Sequence, residues 1–595
     1  MLHTVQHYVQ ASNILFQLNK NVNDRLGLNN SDIALKKLVL KSIHGIDINS
    51  RAVEIARLRL WLWLIESYSK NNVESLPNIE YNLRTGNSLI GYVNIEKYAK
   101  EMITLDDFDS VEETVKTLLV EFIKLKVQYE VSTGENAREL RRKIESVISK
   151  LKRQLNVDYY KSLKSVFKKI NLTPDFFTSL KPFHYGVEFY DIFQLEDSVK
   201  ERGFDIIMGN PPYVDSELMV KTQADFRTML SKLFETATGN WDLYIPFFER
   251  AINAVNEKGT VCLISPNKWL SAPYGSTLRS SLHNLVTRFC DCEEVNVFQD
   301  AGNTPVITFF RKKPVNNSVK VERFGLNYTI SKKKSVKRNV FDSENWGMIT
   351  SKYFDILSFL KENNSNVGKY CDPENPFSVS EAYKLLKLLS DNEITKDSFK
   401  FVNTGTIDRH ESLWGKSKTT YIKNKFDHPI VNAHDLQAAM PTRYEQSSTP
   451  KLIITGMRYL ESFYDGRGEY IAGKSTIIIR KHENLPLSVL NIVINSKVAG
   501  FYIKEAYKTS GIDGGIGFKT NMIEELPIPE LTKNDIEELS QYEEKISLKL
   551  ENGDMKDAYE TIDKVDKLLY KLYGLPQNYV DIIEKYKTHS GKRLD

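Results

Sequence analysis

Apolar residues along the chain change their period repeatedly, and each change marks an element. Over residues 1–40, Val5, Val9, Ile14, Leu15 and Leu18, then Ile33, Leu35, Leu38 and Leu40, follow helical spacing. Residues 41–46 read as a short strand closing in Gly45-Ile46-Asp47-Ile48, after which Asn49 or Ser50 caps an apolar helix from Arg51 to about Ser67. A second strand is expected over 78–83, closing in Thr85-Gly86-Asn87-Ser88-Leu89. Strand, helix, strand is the alternation of a parallel α/β sheet.

Residues 105–172 interrupt this rhythm with Glu/Lys/Arg-rich helical periodicity, which predicts a helical hairpin inserted on the sheet domain. The sheet pattern resumes with Phe204-Asp205-Ile206-Ile207-Met208, an apolar strand running into Gly209-Asn210-Pro211-Pro212-Tyr213. A helix over 241–255 and strands over 259–265 and 305–310 follow. Residues 311–340 then carry ten Lys/Arg against the single acid Glu322, a basic linker and domain border. Short strand-like runs between Gly and Asn suggest a mixed domain over 341–530, and 531–595 is helical and charged. The expected layout is therefore a sheet domain over 1–310, the linker over 311–340, the mixed domain and a helical C-terminal segment.

Composition narrows the class without naming a function. A chain of 595 residues exceeds one hydrophobic core, and 41% hydrophobic with 27% charged residues is that of an ordinary soluble protein. The net charge is only +4, so any surface for nucleic acid must be local. No apolar run reaches the ~18 residues needed to span a bilayer, and the N-terminus lacks the pattern of a signal peptide. Cys262, Cys290, Cys292 and Cys371 form neither a disulfide framework nor a zinc-spaced set, so buried thiols in a cytoplasmic protein are expected, with no metal.

Asn210-Pro211-Pro212-Tyr213 carries the chemistry. At this composition, one chance occurrence is expected in on the order of a few hundred such chains. It stands at the carboxyl end of an apolar strand, where open α/β sheets place ligands. Such a loop suits an exocyclic amine, whose lone pair is delocalised into its ring. The Asn210 amide oxygen and the Pro211 carbonyl can accept its two hydrogens and localise that lone pair, while two prolines hold the acceptors in place. Tyr213 can stack on a base that has left the duplex. A rigid Pro-Pro turn with a surface Tyr is the alternative.

With Phe183-His184-Tyr185-Gly186-Val187-Glu188-Phe189 upstream, this region resembles the catalytic region of gamma-class DNA adenine-N6 methyltransferases, most closely the fused type IIG restriction–modification enzymes. The resemblance implies a Rossmann-like methyltransferase sheet, a target-recognition domain over 341–530 and methyl transfer from S-adenosyl-L-methionine to N6 of a flipped adenine in double-stranded DNA. Asp47 matches the acidic residue that holds the cofactor's ribose. Asn87 matches the polar contact to its adenine, although an ordinary Gly-Asn turn reads the same. Phe298 matches the aromatic residue on the other face of the flipped base, and also suits a core position. Arg458 is a candidate contact to a base edge or phosphate, or a member of a surface ion pair.

The family's glycine-rich first motif should precede Asp47, but the only earlier glycines, Gly27 and Gly45, belong to no Gly-x-Gly loop. No Asp…Glu-x-Lys cluster on strands supplies a nuclease site. The sheet is thus expected to be N-terminally incomplete. The chain would be a fragment, a subunit completed by a separate N-terminal polypeptide that carries the missing motif and nuclease, or a relic. The rival function is a catalytically silent DNA-binding or specificity subunit.

Overall fold

The computed structural model describes most of residues 32–590, leaving out 69–75, 96–108, 168–171, 194–201, 298–303, 512–514 and a few shorter stretches. The helix expected over the first 31 residues and the position of Phe298 lie outside the described residues. The chain divides into two compact units. Unit 1 holds residues 1–265 with 284–286 and 308–315, and unit 2 holds the remainder. Among the described residues no helix is long and apolar enough to cross a membrane.

Unit 1 is α/β. Helix α1 (Asp32–Ser42) leads into strand β1 (Gly45–Asp47), helix α2 (Ser50–Ile65) and strand β2 (Leu83–Thr85), which pairs parallel with β1 and sets Asp47 opposite Thr85. Both strands lie later than their apolar runs predict. Asn82 explains the shift: its Nδ2 donates to the carbonyls of Lys41 and Ile43 at 2.9 and 3.2 Å, closing the end of α1, while its own amide turns back to Ile79. Those bonds hold residues 79–82 as a turn rather than extended backbone. Asn49 caps α2 by accepting from the Arg51 amide.

The expected helical hairpin is present as α3 (Asp109–Glu130) and α4 (Gly134–Val166). Ile144, Val147, Ile148, Leu151 and Leu155 recur on one face of α4 and pack with Phe122 and Tyr129 of α3, leaving the charged face to water. Strand β3 (Phe204–Gly209) follows. After it come α5 (Ser216–Thr222), α6 (Ala224–Leu233), α7 (Ile245–Ala254) and strand β4 (Val255–Pro266), which runs parallel to β3. Helix α7 starts only at Ile245, with Pro246 in its first turn, because residues 241–243 are engaged elsewhere. Among the described residues, the strands β1 to β4 thus form two parallel pairs, β1·β2 and β3·β4.

In unit 2, strand β5 (Val286–Asp291, its first residue in unit 1) pairs parallel with β7 (Ser318–Phe324). Strand β7 pairs antiparallel with β8 (Ile330–Lys337). Strand β6 (Pro305–Arg311) lies across the division between units. The basic stretch 311–340 is therefore largely a hairpin, with Lys332, Lys333 and Lys337 exposed and Lys334 stacked over Phe354 at 3.8 Å. Further on, Cys371–Glu374, Thr476–His482, Lys451–Thr455 and Ser462–Asp465 form an antiparallel four-stranded sheet in that order, and Ser398–Val402 joins a mixed three-stranded sheet. Helices Lys533–Glu551, Met555–Leu572 and Gln577–Glu584 end the chain. The first two are tied to the turn at residues 409–410 by His410–Glu543 at 2.7 Å and Arg409–Asp566 at 3.1 Å. Cys290, Cys292 and Cys371 are buried, with thiols pushed up to about 12 by desolvation, while Cys262 is half-buried.

Candidate functional site

The candidate residues of unit 1 sit at carboxyl ends of its parallel strands. Asp47 ends β1 and is exposed; its Oδ1 accepts from the Asn49 amide at 2.7 Å, and among the described residues no other group binds that carboxylate. Its carbonyl accepts from Gly86 at 3.0 Å, so β1 and the turn after β2 are stitched together. Asn87 is half-buried in that turn. Its Oδ1 accepts from Leu89 at 3.1 Å, and its amide donates to the Lys181 carbonyl at 2.8 Å. The structure thus brings Asp47 and the Thr85–Asn87 turn together.

What fixes this turn is the segment around Phe183, nearly a hundred residues away in sequence. A Cβ on Gly86 would stand 2.7 Å from the Phe183 ring, so only glycine lets the turn lie on that side chain. The Ile90 carbonyl accepts from the Phe183 amide, the Tyr185 hydroxyl donates to Ser88 and Arg250 donates to Leu89. Buried Glu188 receives Arg84 of β2 at 2.6 Å and Lys152 of α4 at 2.5 Å. Burial pushes its carboxyl up, but the two cations outweigh that and hold it below the usual carboxylate range. Beside it His184 accepts from the Tyr92 amide at 3.2 Å and lies 3.1 Å from Asn156 Oδ1.

Burial pushes the His184 imidazole down to about 3, so it folds neutral. The unfolded chain binds that proton near pH 6.5 and the folded one only near 3, so the stabilisation is complete above 6.5 and falls as pH drops through this window. The His184 imidazole should therefore contribute a loss of about 1.4 kcal/mol of stability per pH unit below about pH 6.5. His184→Gln should flatten that slope; equal slopes in thermal melts from about pH 7.5 to about pH 5 would rule the imidazole out as the cause.

Asn210 follows Gly209, which pairs with Leu263 in β4. Asn210 and Pro212 are exposed, Pro211 is buried and Tyr213 is half-buried, its ring edge-on to buried Tyr244 at 6.5 Å. The loop is latched from outside the motif. The Leu243 amide donates to Val214 at 2.9 Å, and Asp242 Oδ1 accepts from Ser216 at 3.0 Å. Arg227 in turn donates to the carbonyls of Trp241 and Gly239 at 2.7 and 2.8 Å and lies over the Trp241 ring at 4.4 Å. Sequence reading missed Arg227 and Asp242. A donor-rich arginine followed by an aromatic–acid pair carries no signature of its own.

A cleft of about 870 Å³ opens beside Thr85 against α4, lined by Lys152, Arg153, Lys161 and Lys181 with the rings of Tyr160 and Phe177; among the described residues no carboxylate lines it. In unit 2, Arg458 is exposed on a turn in the left-handed region (φ +68°), its amide donating to Ile516. Among the described residues no cluster of His, Cys, Asp or Glu has the geometry of a metal site.

Unit 1 is thus an α/β unit with its candidate residues in loops at strand ends. Residues 41–298, which contain Asp47, Asn87 and Asn210–Tyr213, match the model of the Eco57I restriction-modification methylase family. A putative type II restriction enzyme and methyltransferase of Methanocaldococcus jannaschii is 28% identical over 48% of this chain and 27% of its own length. The type II methyltransferase M.PaeR7I of Pseudomonas aeruginosa is 34% identical over 18% of this chain and 17% of its own. The chain thus spans about a quarter or less of the length of these two relatives. Among solved structures, that of the type IIL restriction-modification enzyme MmeI in complex with DNA aligns over 97% of this chain and 77% of its own, at 13% identity and a TM-score of 0.42.

Proposed function

We propose that this chain is a site-specific DNA methyltransferase of a restriction–modification system, moving a methyl group from S-adenosyl-L-methionine to N6 of an adenine flipped out of duplex DNA. The observation that carries the reading is Asn210–Tyr213 at the end of β3, pre-set by the latch from residues 241–244 and inside the family-matched segment. Asn210 Oδ1 and the Pro211 carbonyl accept the two amino hydrogens, so the nitrogen's lone pair points toward the electrophile. Buried Pro211 fixes the loop without an amide donor of its own. The half-exposed Tyr213 ring stacks on the base, Phe298 takes its other face, and positioning supplies most of the rate.

The residues present fit the cofactor. Asp47 keeps a carboxylate oxygen for the ribose hydroxyls, and Asn87 keeps its amide NH₂ for the adenine, because each spends only its Oδ1 on a local turn. When bound, S-adenosyl-L-methionine supplies an activated methyl group on sulfur. Residues 341–530 would read the DNA sequence, with Arg458 as one contact. The glycine-rich loop that wraps the rest of the cofactor would come from polypeptide outside these 595 residues.

Calorimetric titration of S-adenosyl-L-methionine into the full chain tests the pocket. Asp47→Ala should weaken binding by about tenfold or more, the cost of one charged hydrogen-bonded group. Equal affinity in the variant would remove Asp47 from the site.

A further inference from the structure

The two halves of α4 treat their charge differently. In the first half Arg141 pairs with Glu80 at 2.9 Å and Lys143 with Glu139 at 2.7 Å. From Ser146 to Val166 the helix carries Lys150, Lys152, Arg153, Lys161 and Lys164 against one acid, Asp158, which is buried and accepts from Gln154. Lys152 is spent on Glu188. Lys150, Arg153, Lys161 and Lys164 recur with Val157 at steps of three and four, so they form one exposed stripe, and among the described residues none of these four cations has a carboxylate partner. At 1.5 Å per residue the stripe runs about 21 Å. The cleft of about 870 Å³ beside Thr85 takes Arg153, Val157 and Lys161 from its middle. Lys181 also lines the cleft, and its Nζ donates to the Ile48 carbonyl at 3.1 Å, one residue past Asp47. The rings of Tyr160 and Phe177, centres 5.4 Å apart, add an apolar surface. His184 accepts from the Tyr92 amide through Nδ1, so Nε2 carries the ring hydrogen and donates to Asn156 Oδ1. That leaves the Asn156 NH₂ as one more donor on the lining.

We infer that this cleft, with the stripe that continues it along α4, holds the phosphate backbone of a DNA duplex. A lining whose charged groups are all cations, with an amide donor beside them, suits an anion. S-adenosyl-L-methionine is the wrong occupant, because its sulfonium and ammonium against one carboxylate make it a net cation. A lone phosphate group would use the cleft but give no role to Lys150 and Lys164, which lie on the same face outside the lining. One strand of B-DNA presents about six phosphates over about 21 Å of axis, so its charge matches the row in length. Its sugars give Tyr160 and Phe177 an apolar partner. The position agrees, since Thr85 ends β2 opposite Asp47 and the cleft thus opens at the carboxyl end of that parallel pair. Lysine and arginine on phosphate oxygens set where a duplex lies without reading its sequence. The inference rests on the proposed transferase reading in one respect, that the nucleic acid is duplex DNA.

The salt dependence of DNA binding tests the surface without any methyl transfer. Fluorescence anisotropy of a labelled duplex of about 30 base pairs, titrated with the full chain between about 50 and 200 mM KCl, counts the phosphates held. Arg153→Gln with Lys161→Gln, both at exposed helical positions, should flatten the log–log salt slope by about 1.8. The same pair should weaken binding about tenfold to hundredfold at about 0.1 M salt, equally for every duplex sequence. Arg153→Lys with Lys161→Arg should restore the slope. Arg142→Gln with Lys143→Gln removes equal charge from the first half of α4 and should leave the slope unchanged. No duplex binding by the parent, or a slope that the Arg153→Gln, Lys161→Gln pair does not move, would overturn the inference; calorimetric binding of ATP abolished by that pair would then make the cleft a nucleotide pocket. An equal loss of slope in the control pair would also overturn it, by reducing the effect to net charge. A flattened slope in a chain whose Asn210–Tyr213 loop transfers no methyl group would reject the transferase reading alone and keep the surface.

Discussion

Asn210→Ala is expected to lower methyl transfer by about 10²–10³-fold while leaving cofactor and DNA affinity within a few fold. That is the scale lost when one pre-set polar group facing the reacting atom is removed. Asn210 lies exposed after β3 and the loop is held from residues 241–244, so its side chain can be truncated without loosening the backbone. Single-turnover methylation of plasmid DNA, read by mass spectrometry of the nucleosides, separates this from a binding defect. Asn210→Asp, which keeps acceptor oxygens but adds charge, should recover only part of the rate. A rate in Asn210→Ala within about threefold of the parent would dissociate the tetrapeptide from the chemistry.

A second large effect is expected far from any reacting atom. Gly91 sits at φ +125°, a conformation nearly closed to other residues, and an added Cβ would lie 2.1 Å from the Phe183 carbonyl oxygen. The obstacle is backbone, so no rotamer change relieves it. Gly91→Ala should cost about 4 kcal/mol or more, undo the contact between the Thr85–Asn87 turn and residue 183, and abolish binding of S-adenosyl-L-methionine. Gly134 is the matched control: it is also left-handed at φ +66° with nothing within 4 Å, so alanine there should cost only about 1–2 kcal/mol and leave binding intact. Thermal melts paired with cofactor titration check both.

These two sites mark how far the sequence could be read. The place of Asn210–Tyr213 was legible because four adjacent residues follow a locally encoded apolar strand. The α3/α4 hairpin was legible because its 3.6-residue period is local too. Strand limits at 83–85 were not, since Asn82 bonds to carbonyls some forty residues back, at 41 and 43. The floor beneath Asn87 was harder still. Arg84 meets Glu188 across 104 residues, and the reason for glycine at 86 is a ring at 183. Phe183-His184-Tyr185 was noticed as part of a family pattern, but only packing explains why that segment must accompany the turn. Arg227 and Asp242 escaped notice for the same reason: their partners are main-chain groups, which no side-chain pattern reports.

The hairpin of β7 and β8 carries a different consequence. Among the described strands β8 pairs only with β7, so its outer row of amides and carbonyls is open to any extended chain that arrives. Three exposed lysines, 332, 333 and 337, line that strand. Two molecules meeting edge to edge would have to bring these ammonium groups together, with Glu322, 3.6 Å from Lys333, as a counter-charge to that lysine. The run that stands out as a basic patch in the sequence therefore also guards against aggregation: it keeps the sheet from growing by addition of its own kind.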